Sequence, residues 1–205
     1  MKRAEDFLEQ LKQDGKFELD PSGNLKDQES DAQLGSETSA DQARNQLRQQ
    51  IESRAVMLLA IREHGAKELK TKLIKKFPET ESMLSETQEP AGLVKILVEE
   101  VIESCQENNW QSDERYIEQA VRSLMEKGQG PMKIRQKCQQ ACQNSTLIEA
   151  YLEFESEEWL EMAKNVMLKK YGDLTKPASR NEQAKRMRFL QGRGFSSEVI
   201  WKVYR

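Results

Sequence analysis

Proline and glycine are scarce in this chain of 205 residues, five and ten in all, and aromatic residues make up only 6%. Strands draw on aromatic and β-branched side chains, so this balance excludes a sheet-rich fold and favours helices. No apolar run approaches the roughly 20 residues a helix needs to cross a bilayer. The beginning, Met1-Lys2-Arg3-Ala4-Glu5-Asp6, turns acidic where a signal peptide would be apolar, so the cytoplasm is the expected compartment. Cys105, Cys138 and Cys142 are an odd set without an export signal and read as reduced thiols. With His64 as the single histidine, a nucleophile–histidine machine has little to draw on, and a helix-end role suits that residue better. Cys138 and Cys142 stand four apart and lack the CxxC spacing of a zinc site. The glycines at 128–130 offer no GKS or GKT and follow no strand, which excludes a phosphate-cradling loop. No cofactor or metal is expected, and no enzyme activity.

What is present is charge. Charged residues are 33% and hydrophobic ones 37%, low for a compact domain of this size, so an elongated fold with a thin core is expected beside an unfolded part. The net charge of −3 is unevenly spread. Residues 1–45 carry six Lys/Arg and eleven Asp/Glu, while the remainder carries 26 and 24. Residues 176–205 hold eight basic side chains against Glu182 and Glu198. Such polarity speaks to partners more than to fold. Residues 12–45 are nearly free of large apolar side chains and cannot offset their ordering entropy, so the head reads as a flexible acidic extension, with Phe7, Leu8 and Leu11 marking a short helix.

Helical spacing begins near residue 46, through Ala55, Leu58 and Leu59, then Leu69, Leu73 and Phe77. Pro78 to Glu89 reads as a loop, and Pro90 suits the first turn of a helix bearing Leu93, Ile96, Leu97 and Val101. A second cycle starts at Ser112-Asp113, breaks at 128–130, resumes at Pro131 with Ile134 and Cys138, and adds a helix capped by Ser145. A third runs from Ser156 to Tyr171-Gly172, then past Pro177 to Leu190 and Gly192, and finally from Ser196 to Tyr204. Trp110, Trp159 and Trp201 are expected to anchor junctions between repeats, Trp201 being the one suited to exposure.

Three stretches overlay at shifts of 65 and 66 residues: 55–73, 120–138 and 186–204. Leu59, Leu124 and Leu190 coincide, as do Leu69, Ile134 and Ile200, the turn cations Arg62, Lys127 and Arg193, and the cap positions Gly65, Gly130 and Ser196. Stacked repeats share neighbour contacts and present a long face suited to an extended partner. The expected domains are an extension over 1–45 and helical repeats over 46–110, 111–155 and 156–205.

Three stretches resemble the RecX family, bacterial regulators of the RecA recombinase. They are Arg62-Glu63-His64 with Glu68-Leu69, then Ser112 to Tyr116 through Lys127-Gly128-Gln129-Gly130-Pro131, then Lys170-Tyr171-Gly172 with Phe189-Leu190 and Arg193-Gly194-Phe195. Gly65 departs from the pattern, standing where the family usually has serine. The resemblance implies an all-α fold of three tandem three-helix repeats in a curved, elongated molecule. It implies binding to RecA and to the RecA–DNA filament, restraining ATP hydrolysis, strand exchange and coprotease activity in recombination and the SOS response. A monomer is expected, with weak nonspecific DNA contact. The alternative is a nonspecific DNA-binding helical protein, which the pI near 5.5 opposes.

The residues expected to meet RecA or filament DNA are cations: Arg62, Lys67, Lys127, Lys133, Arg135 and Lys137, then Lys185, Arg186, Arg188, Arg193 and Lys202 toward the C-terminus. Each also has a plainer reading, as a solvated helix face or a favourable charge near a helix C-terminus.

Overall fold

Helix begins upstream of the composition change at residue 46. In the computed structural model, which describes residues 38–204, α1 spans Ser39–Ile61. Thr38 opens it with a capping box: its hydroxyl accepts the Asp41 N–H at 3.2 Å, and the Asp41 carboxylate accepts the Thr38 N–H at 3.2 Å. Residues 39–45 are therefore helical, a correction to the flexible extension expected there. Residues 1–37 of that extension, with the short helix expected at Phe7, Leu8 and Leu11, and Arg205 lie outside the described residues.

Among the described residues secondary structure is wholly helical, and the chain divides into two units, 1–112 and 113–205. In the first, α1 is followed by α2 (Ala66–Lys76), α3 (Glu81–Thr87) and α4 (Leu93–Glu107). Leu93, Val94, Leu97, Val98, Val101 and Cys105 fall on one side of α4 and are buried. They meet Ile51, Ala55 and Leu59 of α1 and Leu69 and Leu73 of α2 in one core. Each of the Leu, Ile and Val side chains among them contributes about 1.5–3 kcal/mol by leaving water.

The segment expected as a loop from Pro78 to Glu89 contains α3. Thr80 accepts the Met83 N–H at 3.2 Å, Met83 and Leu84 half-bury against the first core, and Gln88 ends the helix in the left-handed region at φ 54°. Two apolar residues and a threonine cap suffice here because tertiary contact supplies what local sequence lacks. The next helix starts at Leu93, later than Pro90. Its first turn is capped from a distance by Glu79, whose carboxylate accepts Gly92 N–H at 3.0 Å and Val94 N–H at 2.8 Å.

The second unit holds α5 (Asp113–Glu126), α6 (Pro131–Ala141), α7 (Ser145–Ala150), α8 (Ser156–Tyr171), α9 (Arg180–Arg193) and α10 (Ser197–Lys202). Its core joins Ile117, Ile134, Ile148, Met167, Leu190 and Ile200. The cap of α7 is Asn144, which accepts the Leu147 N–H at 3.0 Å, in place of the expected Ser145. Trp159 is buried edge-on to Phe154, Trp110 is half-buried against the first core, and Trp201 is 56% exposed.

The overlaid stretches take on a specific meaning. The first two lie on α1–α2 and α5–α6, but 186–204 lies on α9–α10, the second and third helices after residue 156. The recurring pattern therefore tracks a helix–turn–helix with a buried residue on each side of the turn, not the phase of whole three-helix cycles. Leu69 and Ile134 are each the first buried residue after the turn, Ile200 follows the equally buried Val199, and all three lie in a core.

Candidate partner-binding site

Two of the three turns meet. The α5–α6 turn runs Lys127-Gly128-Gln129-Gly130 and the α9–α10 turn follows Arg193 with Gly194-Phe195-Ser196. Gly130 N–H donates to the Arg193 carbonyl at 2.8 Å, and Met132 N–H donates to the Gly194 carbonyl at 3.1 Å. Arg193 Nη1 donates to the Lys127 carbonyl at 2.5 Å. That carbonyl belongs to the end of α5, where backbone acceptors lack helical partners and a cation is favoured.

Only glycine permits the approach. A Cβ on Gly130 would lie 2.6 Å from the Gly194 backbone, and one on Gly194 would lie 2.5 Å from Lys133 N, at φ +90°. Phe195, next to Gly194, is buried in the core. The sequence presents these glycines as helix breakers; the tertiary structure makes them the contact between two turns. Sequence periodicity carries no signal for that, since the partners are 64 positions apart in the chain.

Beside this clasp an open cleft of about 390 Å³ lies between the end of α5, the last turns of α8 and the end of α9. Met125, Met162 and Val166 line it, with Lys127, Lys169, Lys170 and Arg193 around them and Glu126 as the acid. Lys170 Nζ sits 4.1 Å above the Phe189 ring centre, and the Arg193 guanidinium carbon is 5.3 Å from it. Tyr171 packs edge-on to Phe189 at 5.7 Å. The structure thus brings together the predicted cations Lys127 and Arg193 and adds Lys169 and Lys170, which are not among the expected site residues.

The other predicted cations are placed differently. In the first unit, Arg62 is exposed and bound locally, donating to Glu68 at 2.5 Å and to the Glu63 carbonyl at 2.7 Å; Lys67 is exposed on α2. Arg135 makes a two-pronged bond to Glu149 at 2.5 and 2.7 Å, which holds the Glu149 carboxyl below its usual range. Lys133 is half-buried and Lys137 exposed.

Toward the C-terminus, Arg186 is only 12% exposed, bonds Asp173 at 3.2 Å and stacks 4.6 Å from the Tyr171 ring centre. Its guanidinium holds Asp173 below the ordinary carboxylate range. Lys185 lies 3.6 Å from Glu182, and Lys202 lies 2.8 Å from Glu198. Arg188 is exposed and donates to the Ala184 carbonyl at 3.3 Å. Three carboxylates, Asp173, Glu182 and Glu198, pair with Arg186, Lys185 and Lys202, because helical spacing and the loop after α8 bring them together.

His64 is 2% exposed in the α1–α2 turn, with its carbonyl accepting Gln111 Nε2–H at 3.1 Å. Burial, with Arg62 nearby, lowers its pKa below the usual imidazole value. Burial pushes the Cys105 thiol up to about 12 and Cys138 up to about 11. Among the described residues no His/Cys/Asp/Glu group is arranged to hold a metal, and no helix is long and apolar enough to cross a membrane.

Comparison with known proteins agrees with this geometry. Residues 112–152 match the model of the second three-helix domain of RecX, and residues 156–204 match that of the third. The chain is 34% identical over 164 residues to the regulatory protein RecX of Serratia proteamaculans, covering 75% of this chain and 95% of that one. It is 33% identical to the regulatory protein RecX of Vibrio vulnificus, covering 71% and 85%. Among solved structures, RecX from Lactobacillus salivarius superposes with a TM-score of 0.58 at 19% identity, covering 78% and 95%, which supports the fold. A helical chain whose second unit closes on a Gly130–Gly194 clasp, and which keeps 34% identity across nearly all of a relative, belongs to the RecX family of regulatory proteins.

Proposed function

We propose that this chain regulates the RecA recombinase, binding RecA and its DNA filament and restraining ATP hydrolysis, strand exchange and coprotease activity. Membership of the RecX family across most of the chain carries this reading. The basic cleft of the second unit supports it, since cations around an apolar floor suit a protein surface. Regulation then follows from differential affinity: a ligand that favours one filament state shifts the filament toward it.

In this reading the chain is a cytoplasmic monomer and a binding protein, not an enzyme. The buried, protonated thiols of Cys105 and Cys138 and the enclosed His64 support that, as none is poised as a nucleophile or base. DNA contact through exposed cations such as Lys137 and Arg188 is nonspecific and salt-sensitive.

The test is the DNA-dependent ATPase of RecA titrated with this protein. Inhibition that saturates as the protein approaches filament stoichiometry is expected. Unchanged hydrolysis at a several-fold excess, with tight binding to naked duplex DNA at physiological salt, would favour the nonspecific DNA-binding reading instead.

A further inference from the structure

We infer that the cleft bounded by Lys127, Lys169, Lys170 and Arg193 is the docking site for an acidic peptide of a partner protein, carrying an apolar side chain between its carboxylates. This deepens the regulatory reading and rests on its premise that the chain grips a protein.

Charge provides the first reason. Helices α5, α8 and α9 all end at the cleft, and each C-terminus carries a partial charge of about −0.5. With Glu126 the negative total is about −2.5, against four cations. Complementing the helix ends therefore leaves a surplus of one to two positive charges, so helix-end compensation alone does not account for the set. Three of the cations, Lys127, Lys169 and Lys170, are exposed. Arg193 is fixed by its bond to the Lys127 carbonyl, so part of the site is preorganised.

The floor provides the second. Met125, Met162 and Val166 are half-buried apolar side chains, and methionine adapts its shape to an inserted group. A volume of about 390 Å³ is that of a small ligand pocket, enough for a few side chains. Nucleic acid fits less well. Single strands bind by stacking bases on aromatic faces. The one ring here, Phe189, already has Lys170 and Arg193 against it and Tyr171 at its side.

The experiment is fluorescence anisotropy of the full chain with three labelled probes of equal length. One is a synthetic Glu/Asp peptide bearing single Leu and Phe residues; the others are an oligothymidylate and a peptide copying residues 5–20 of this chain. The mixed acidic peptide is expected to bind best. The double substitution Lys127→Glu with Lys169→Glu should weaken it at least about tenfold, as expected when charge pairs become repulsive.

Circular dichroism melting checks the fold, and Lys127→Gln with Lys169→Gln replaces the double variant if it unfolds, with a smaller loss expected. Three results overturn the proposal: no saturable binding of the acidic peptide, equal affinity for it in the folded double variant, or tighter binding of either other probe. RecA ATPase inhibition by the unaltered chain is read in parallel. Its absence with peptide binding intact sinks the regulatory reading alone, whereas inhibition with no cleft-dependent peptide binding sinks the cleft alone.

Discussion

The two units use the same helix–turn–helix differently. In the first, the α1–α2 turn is completed by side chains: Arg62 is held by Glu68 and by the adjacent carbonyl, the buried His64 fills the interior beneath it, and Gln111 donates to the His64 carbonyl. In the second, neither turn is self-sufficient. The α5–α6 turn obtains its acceptors from the α9–α10 turn, and Arg193 closes α5 in return. The same local motif can therefore be completed by side chains or by a second copy, and the completing partner decides which residues become intolerant of change.

The sharpest way to break this contrast is Gly194→Ala. The added methyl would meet Lys133 backbone at 2.5 Å from a left-handed φ, so about 3 kcal/mol of stability should be lost. Chemical denaturation would measure it, and hydrogen exchange should place the loss in α5, α6, α9 and α10 while α1–α4 keep their protection. A loss below about 0.5 kcal/mol would mean the turns do not meet closely.

Acid should act on the opposite unit. His64 is the chain's only histidine and its folded pKa is lowered, so the unfolded state takes up a proton first as pH falls. Its contribution is intact above the ordinary value of about 6.5 and is lost as pH drops from there toward the lowered folded value. Hydrogen exchange at pH 7.5 and 5.5 should show α1 and α2 loosening ahead of α8 and α9, and His64→Gln should flatten that pH dependence. Equal loosening in both units would remove histidine as the cause.

The smallest effect compares two arginines at equivalent turns. Arg193→Ala deprives the end of α5 of a charged donor and should lower stability by about 1–2 kcal/mol. Arg62→Ala removes an exposed pair and should change it by a few tenths. Thermal melts of the two variants side by side would decide this, and equal shifts would erase the distinction.

Much of the fold was legible because helices announce themselves locally. The stripe of Leu93, Leu97 and Val101, the terminating Gly172 and the Ser196 cap each sit within a turn or two of what they govern. Helix α3 was not legible, since its seven residues gain most of their stability from the core beneath Met83 and Leu84. Nor was the Glu79 cap, which reaches thirteen and fifteen residues ahead. For the candidate site, spacing alone identified Lys127 and Arg193 as equivalent, but Lys169 and Lys170 have no counterpart in that overlay. Arg186 shows the converse: its composition signal pointed outward, while burial against Asp173 and Tyr171 turned it inward.

By itself, then, the sequence determined helix type, the main helix boundaries, the buried face of most helices and the family. Those depend on periodicity and on residues close in the chain. Tertiary structure alone decided which turns pair, which cations are neutralised and where four of them surround an apolar floor. These depend on groups brought together across tens of residues, where packing and charge pairing, not local propensity, set the outcome.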